Sequence, residues 1–199
     1  MLNTDYKILT KLLAIRLQKC IKEIIHPDQT GYVKGRYIGY NIRLINDIIT
    51  NYERSNENAS ILFLDYQKAF DSIKWDFINK ALNKFGFGNN FTRWIEALYK
   101  NTESCVMNNG HSTGFFKLER GIRQGCPISA LLFIIAIETF AIKLRNSTNI
   151  AGLVINGTEI KISQLADDTT LFLKDNNSIK NALELVNMFY KCSGLNINK

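Results

Sequence analysis

The sequence predicts an α+β fold, with helices packed on a small antiparallel sheet, and two acidic strand ends carry most of that expectation. The stretch Gln164-Leu-Ala-Asp-Asp-Thr-Thr-Leu-Phe172 sets Asp167 and Asp168 between two runs of strand character. Upstream, Ile160, Ile162 and Gln164 alternate with Glu159, Lys161 and Ser163; downstream, Leu171 and Leu173 alternate with Thr170 and Phe172. A strand, a tight acidic turn and a returning strand make a hairpin with carboxylates at its tip. Acidic turns are common for conformational reasons alone, so this one gains meaning from the second strand end. Ile61-Leu-Phe-Leu64 is a short apolar run, expected as a buried central strand, that leads straight into Asp65.

The remaining elements follow in order. Residues 4–25 carry Ile8, Leu9, Leu12, Leu13, Cys20, Ile21, Ile24 and Ile25 at helical spacing, with Thr4 or Asp5 as cap and His26-Pro27 as stop. Gln29 to Tyr40 packs Gly31, Gly35, Gly39, three tyrosines, Lys34 and Arg36 into a dozen positions. That composition suits close backbone approach to a phosphate with aromatic stacking, and it equally suits an ordinary glycine-rich loop. Asn41–Tyr52 reads as a helix with Ile42, Ile45, Ile48 and Ile49 inward, and 55–60 as a polar loop. After Asp65, Asp71 is placed as the N-cap of a helix through Trp75, Phe77, Ile78, Leu82 and Phe85, stopped by Gly86 and Gly88. A further helix spans Phe91–Leu98 with Trp94 and Leu98 inward. Asn108-Asn109-Gly110 predicts a hairpin turn within 105–118. Gly121, Gly125 and Pro127 form a tight loop before a long apolar helix begun by Ser129, whose backbone N–H groups, with Arg120 and Arg123, suit an anion. Val154–Thr158 makes a small hairpin, and Ser178–Tyr190 a last helix.

Composition narrows the function. With 25 Lys+Arg against 18 Asp+Glu, the net charge of +7 favours a polyanionic partner such as nucleic acid. The 199 residues contain 2 Pro and no repeat or low-complexity run, which fits one domain without a linker. Cys20, Cys105, Cys126 and Cys192 form no CxxC pair, which argues against a zinc site or disulfide framework and for a reducing intracellular compartment. His26 and His111 read as loop residues without metal-ligand spacing. No basic-then-apolar leader follows Met1. The apolar run Leu131–Ile142 carries Glu138 and is too short to span a bilayer, so it is a buried helix.

Asp65 at one strand end and Asp167 with Asp168 at a hairpin tip, once brought together, form a hard-oxygen site whose like charges demand cations. Two Mg²⁺ ions about 4 Å apart in such a site activate a 3′-hydroxyl and stabilise a leaving pyrophosphate.

Three stretches resemble successive signature motifs of reverse transcriptases: Asp65-Tyr-Gln-Lys-Ala-Phe-Asp71, Arg120-Gly-Ile-Arg-Gln-Gly-Cys-Pro-Ile-Ser129 and Leu165-Ala-Asp-Asp168. Their flavour is that of non-LTR, LINE-type retrotransposons. Leu2–Ile8 and Gln29–Arg36 resemble that group's fingers motifs, and Ser193–Lys199 its palm-closing segment. The resemblance covers essentially the whole chain. It implies a polymerase palm, a small antiparallel sheet with packed helices, plus mostly helical fingers. Residues 61–71 and 121–199 would be palm, and about 1–60 and 72–120 fingers-like or mixed. It implies RNA-directed DNA synthesis on an RNA template, from a DNA primer and dNTPs, with Mg²⁺ or Mn²⁺, in the cytoplasm and nucleus and away from membranes.

By position, Asp65 and Asp167 match the metal ligands, with Asp168 less directly coordinating. The Tyr66 backbone would touch metal or nucleotide. Phe70 matches the side chain that excludes a ribose 2′-hydroxyl, and it also reads as a core aromatic. Gln124 and Gly125 match the loop facing nucleotide and template, and Arg36 and Lys34 the triphosphate contacts. Leu165 stands where the group usually has an aromatic, and Ala130 where Pro is common. The family pattern normally runs on into a thumb and is preceded by an endonuclease; both are expected to lie outside this chain, making it a fingers–palm core. The competing readings are a nucleic-acid-binding remnant without polymerase activity and a metal-dependent nuclease or phosphohydrolase on the same carboxylates.

Overall fold

The computed structural model describes residues 2–55 and 57–198. Its organising element is α6 (Ser129–Arg145), apolar on every face, with Leu131 to Ile137, Phe140, Ala141 and Leu144 all buried. A helix of that kind must be surrounded. Packed around it are α1 (Thr4–Ile24), α4 (Trp75–Lys84), α7 (Asn176–Ser193) and strand β8 (Ile162–Leu165). One apolar core runs through all of these. The main sheet has three strands in the order β1-β9-β8, all antiparallel, with β1 at Ser60–Leu64 and β9 at Asp168–Leu173. A smaller cluster forms where α2 (Gly39–Ser55) sets Ile48 and Tyr52 against Leu153 and Phe172.

Turn chemistry decides the hairpins. Strands β3 (Met107–Asn108) and β4 (His111–Ser112) join through Asn109 and Gly110, both at positive φ (47° and 80°). Strands β6 (Leu153–Ile155) and β7 (Thr158–Ile160) join through Asn156 and Gly157, at 49° and 77°. Asn-Gly is the pair that tolerates two successive left-handed residues. Strands β2 (Glu103–Ser104) and β5 (Phe116–Lys117) lengthen the first hairpin, so His111 lies in a strand and not in a loop. Helix α5 spans Asn89–Tyr99.

Several helix faces differ from expectation. In α1 the cap is Asn3, whose side chain accepts from the Asp5 amide, and the inward stripe is Leu13, Ala14, Leu17 and Ile21, while Ile8 and Leu12 are exposed. In α2, Ile48 and Tyr52 are inward whereas Ile42 and Ile49 face out, and Trp94 of α5 is 49% exposed. Each of these helices carries apolar residues on more than one face, so periodicity alone cannot say which stripe meets the core. Strand β1 is an edge strand, not a central one, and Phe63 on it is 67% exposed. Asp71 is not the cap of the long helix. It sits inside a single turn, α3 (Ala69–Ser72), entered through Lys68 at φ 46°, and α4 starts separately behind Lys74. In the acidic hairpin the in–out alternation fails: Lys161, Ile162, Ser163 and Gln164 are all buried, and residues 28–30 pair with the free edge of β8.

Beside that segment lies a buried charge network. Arg145 pairs with Asp28 at 2.7 Å and with Glu138, which is 1% exposed. Burial pushes Glu138 up from 4.5 to about 7 against the opposing pull of Arg145. A carboxyl whose folded pKa is raised makes a contribution to stability that is complete below its unfolded pKa and disappears as pH rises through the folded value. The thermal midpoint is therefore expected to fall between pH 4.5 and about 7. The change is on the order of 1–3 kcal/mol, and Glu138→Gln flattens it. Melting curves of both proteins across that range check this.

Candidate active site

The β1–β9–β8 register brings the predicted carboxylates to one end of the sheet. Leu64 pairs with Thr169 and Leu165 with Asp168, so Asp65, one residue beyond Leu64, falls beside the hairpin turn. That turn is Ala166-Asp167, and Ala166 takes positive φ (56°). Asp65 and Asp168 are exposed and Asp167 half-buried. Burial first, then the charges of Asp168 and Asp65, raise the Asp167 pKa above its ordinary value. Burial is the larger cause, and the two neighbouring carboxylates add to it by like-charge repulsion. Among the described residues no Lys or Arg forms an ion pair with any of the three. Among the described residues no group of three or more His, Cys, Asp or Glu side chains is arranged so that it could hold a metal ion by itself. The donor set is hard oxygen with no described lysine or arginine paired to it, a chemistry that suits Mg²⁺ with substrate oxygens completing its shell.

The C-terminal segment supplies a residue that the sequence reading did not single out. Asn198 donates from its backbone N–H to the Asp65 carbonyl (2.8 Å) and from Nδ2 to the Asp65 carboxylate (2.6 Å). The Gln67 N–H donates to the Asn196 carbonyl, and Tyr66 bridges Ile197. The Ser193–Lys199 stretch therefore tethers the strand end that carries Asp65, and Lys199 lies outside the described residues. Tyr66 itself is buried, which pushes its phenol's pKa upward.

Phe70 lies between two neighbours: its ring centroid is 4.7 Å from Phe133 of α6 and 6.4 Å from Tyr32, the latter edge-on. It is half-buried, so the core and the site share it. The Ile122 N–H donates to its carbonyl (2.7 Å), tying it to the glycine loop. In that loop Gln124 and Gly125 are exposed, Gly125 at φ 75°. Gln124 also lines a cleft of about 570 Å³ with Asp71, Arg120 and Arg123. Gly121, at φ 87°, must be glycine, since a Cβ would come within 2.9 Å of the Asp71 carbonyl.

The Gln29–Tyr40 loop meets the site differently from the sequence reading. The Arg36 guanidinium does not face it: Nη1 donates to the carbonyls of His26 and Gln29 (both 2.6 Å) and Nη2 to that of Ile25 (2.7 Å). Arg36 thus closes the end of α1, where unpaired carbonyls need donors, and the triphosphate assignment is corrected accordingly. Lys34 is exposed and lines a groove with Lys11, Lys19 and Tyr32. The residues that do reach the acidic hairpin are Gln29, Thr30, Gly31 and, from α2, Asn41. Polar short-range composition gave no sign of this, because every contact is long-range.

A small antiparallel sheet with acidic strand ends, backed by packed helices, is the α+β arrangement of a polymerase palm. The chain belongs to the reverse transcriptase family: the family described as "Reverse transcriptase (RNA-dependent DNA polymerase)" matches residues 1–199. The curated proteins it resembles are transposon and retrotransposable-element proteins. It is 34% identical over 200 residues to the "Transposon TX1 uncharacterized 149 kDa protein" of Xenopus laevis, covering 100% of this chain and 15% of that protein. It is 27% identical over 194 residues to the "Retrovirus-related Pol polyprotein from type-1 retrotransposable element R2" of Popillia japonica, covering 96% and 27%. Among solved structures it is similar to the telomerase of Candida tropicalis in complex with a fragment of telomeric RNA, with TM-score 0.62 at 13% identity, covering 97% of this chain and 32% of that one. The chain spans about a quarter or less of the length of the relatives' polypeptides. Among the described residues no helix is long and apolar enough to cross a membrane.

Proposed function

We propose that this chain is the fingers–palm portion of a retrotransposon reverse transcriptase that extends a DNA primer with dNTPs on an RNA template. The observation that carries the reading is the register that sets Asp65 beside the Asp167–Asp168 turn, with no ion pair to them from any described lysine or arginine. Residues 61–71 and 121–199 act as palm, and about 1–60 and 72–120 as fingers.

Asp65 and Asp167 hold two Mg²⁺ ions, with Asp168 as a further charge; when bound, the ions activate the primer 3′-hydroxyl and neutralise the leaving pyrophosphate. The rest is positioning. Asn198 fixes the Asp65 carboxylate. The Tyr66 backbone and the exposed Gln124-Gly125 peptide lie along the incoming nucleotide and template. Phe70, held between Tyr32 and Phe133, presents its edge to the sugar. Lys34, with Lys11 and Lys19, supplies positive potential for phosphates, in keeping with the +7 charge. The enzyme works where template RNA and target DNA meet, in the cytoplasm and nucleus.

The test is Mg²⁺-dependent extension of a DNA primer on an RNA template, with primer–template affinity measured alongside. Binding without extension, or cleavage in the absence of dNTPs, overturns the polymerase reading in favour of a binding module or a nuclease. Phe70→Val is expected to lower discrimination against ribonucleotides by about 10²-fold, with dNTP incorporation much less affected, because shape alone rejects the 2′-hydroxyl. Competition between dNTP and rNTP at a single template position measures it.

A further inference from the structure

We propose that Gln29 is a positioning residue for the acidic hairpin: its buried side-chain amide clamps the Ala166 peptide and so sets where Asp167 points. The proposal rests on the polymerase reading for its consequence in catalysis, but not for the clamp itself.

Gln29 is fully buried (0% exposed). Its Oε1 accepts from the Ala166 N–H (2.7 Å) and from the Gly31 N–H (2.8 Å), while Nε2 donates to the Ala166 carbonyl (3.0 Å). Both backbone polar groups of one residue are therefore held by one side chain from 137 positions away. That residue is the one in the turn that needs holding. Ala166 sits at φ 56°, a conformation that costs a residue with a Cβ about 1–2 kcal/mol. It is itself buried and immediately precedes Asp167. A two-residue turn with one strained member has neighbouring alternatives, and each would rotate the Asp167 carboxylate. Satisfying both groups in this geometry makes the others leave a buried donor or acceptor unpaired.

The clamp is anchored from behind. The Thr30 N–H and Oγ1 donate to the Gln164 carbonyl, and the Gln164 N–H donates to the Asp28 carbonyl, so residues 28–30 run beside β8 like a short fourth strand. Asn41 bonds Thr30, Ser163 Oγ and the Gln164 carbonyl. Arg36 holds the Gln29 carbonyl, and Arg145 holds Asp28. The segment that carries Gln29 is thus held by Gln164, Asn41, Arg36 and Arg145, which keeps the amide in reach of the turn.

Gln29→Met keeps the volume and removes all three hydrogen bonds, with Gln29→Asn, which withdraws the amide from the turn, as the second variant should Met prevent folding. Three readouts apply to the same chain: amide hydrogen exchange at Ala166 against the α6 amides, Mn²⁺ affinity from water-proton relaxation, and the Mg²⁺ dependence of primer extension. The Ala166 amide is expected to exchange at least about 10-fold faster while α6 stays protected. Mn²⁺ binding at the site defined by Asp167→Ala is expected to weaken by about 10-fold, and half-saturating Mg²⁺ to rise in step. Primer–template affinity stays unchanged. An unchanged Ala166 amide, or faster exchange spread evenly over Ala166 and α6, overturns the clamp. Unchanged metal affinity despite a freed Ala166 overturns its role in aiming Asp167. A native chain with a protected Ala166 that extends no primer instead overturns the polymerase reading and leaves the clamp standing.

Discussion

Asp167→Ala is expected to reduce primer extension by about 10³-fold or more while leaving primer–template binding intact or slightly tighter. The asymmetry follows from charge. Asp167 is the half-buried member of the cluster and feels both Asp168 and Asp65, so its loss removes the carboxylate best placed to share a cation with Asp65. Nucleic-acid affinity comes from phosphate contacts with cations, and deleting one negative charge cannot weaken those. Asp168→Ala should be milder, because that side chain is exposed where Asp167 is half-buried. The raised Asp167 pKa adds a pH signature. Since a metal ligand must be deprotonated, Mg²⁺ dependence steepens on the acid side at a higher pH than an unperturbed Asp would give. Rates against Mg²⁺ at several pH values, with affinity measured in parallel, check both statements.

The parts of this fold that could be read from the chain are those fixed by local chemistry. Asn109-Gly110 and Asn156-Gly157 announce their hairpins because few residue pairs accept two positive φ values. Leu131–Ile142 announces a buried helix because it is apolar on every side. Asp65 and Asp167 were legible as strand ends, since an apolar run that stops at a carboxylate has to bring that carboxylate to the rim of a sheet. What escaped was whatever depends on which surface meets which. Ile8, Leu12 and Leu13 all belong to apolar stripes of α1, and only α6 decides between them. Arg36 looked like a phosphate ligand because a cation in a glycine-rich loop carries no sign that three carbonyls await it. Gln29 and Asn198 act on residues 137 and 133 positions away, Gln29 through backbone atoms that every sequence possesses and Asn198 through a carboxylate already read as a metal ligand. Both lie in stretches that resemble family motifs, but the motif does not say which far residue each side chain reaches.

Gly31→Ala is expected to be the most damaging single change outside the carboxylates. A Cβ at Gly31 would lie 2.3 Å from the Ala166 nitrogen and 2.9 Å from its Cα, with the Gln29 Oε1 at 2.9 Å as well. The obstructing atoms are backbone, so no side-chain rotation relieves the contact. Either the loop lifts away from β8 or the hairpin turn yields. Lifting the loop breaks the Thr30–Gln164 and Gln29–Ala166 bonds and exposes buried polar groups; moving the turn displaces Asp167 directly. Overpacking against backbone with loss of buried hydrogen bonds is worth about 3 kcal/mol, enough to lower the melting midpoint by several degrees. The informative comparison is with Gln29→Met, which leaves the space open. If the glycine is needed only for stability, activity per folded molecule in Gly31→Ala stays near native. If it is needed for the close approach that holds the turn, activity per folded molecule falls by about 10²-fold, since a displacement on the order of 1 Å at a reacting group has that effect. Active-site titration alongside thermal melting separates the two, and the contact with Ala166 favours the second.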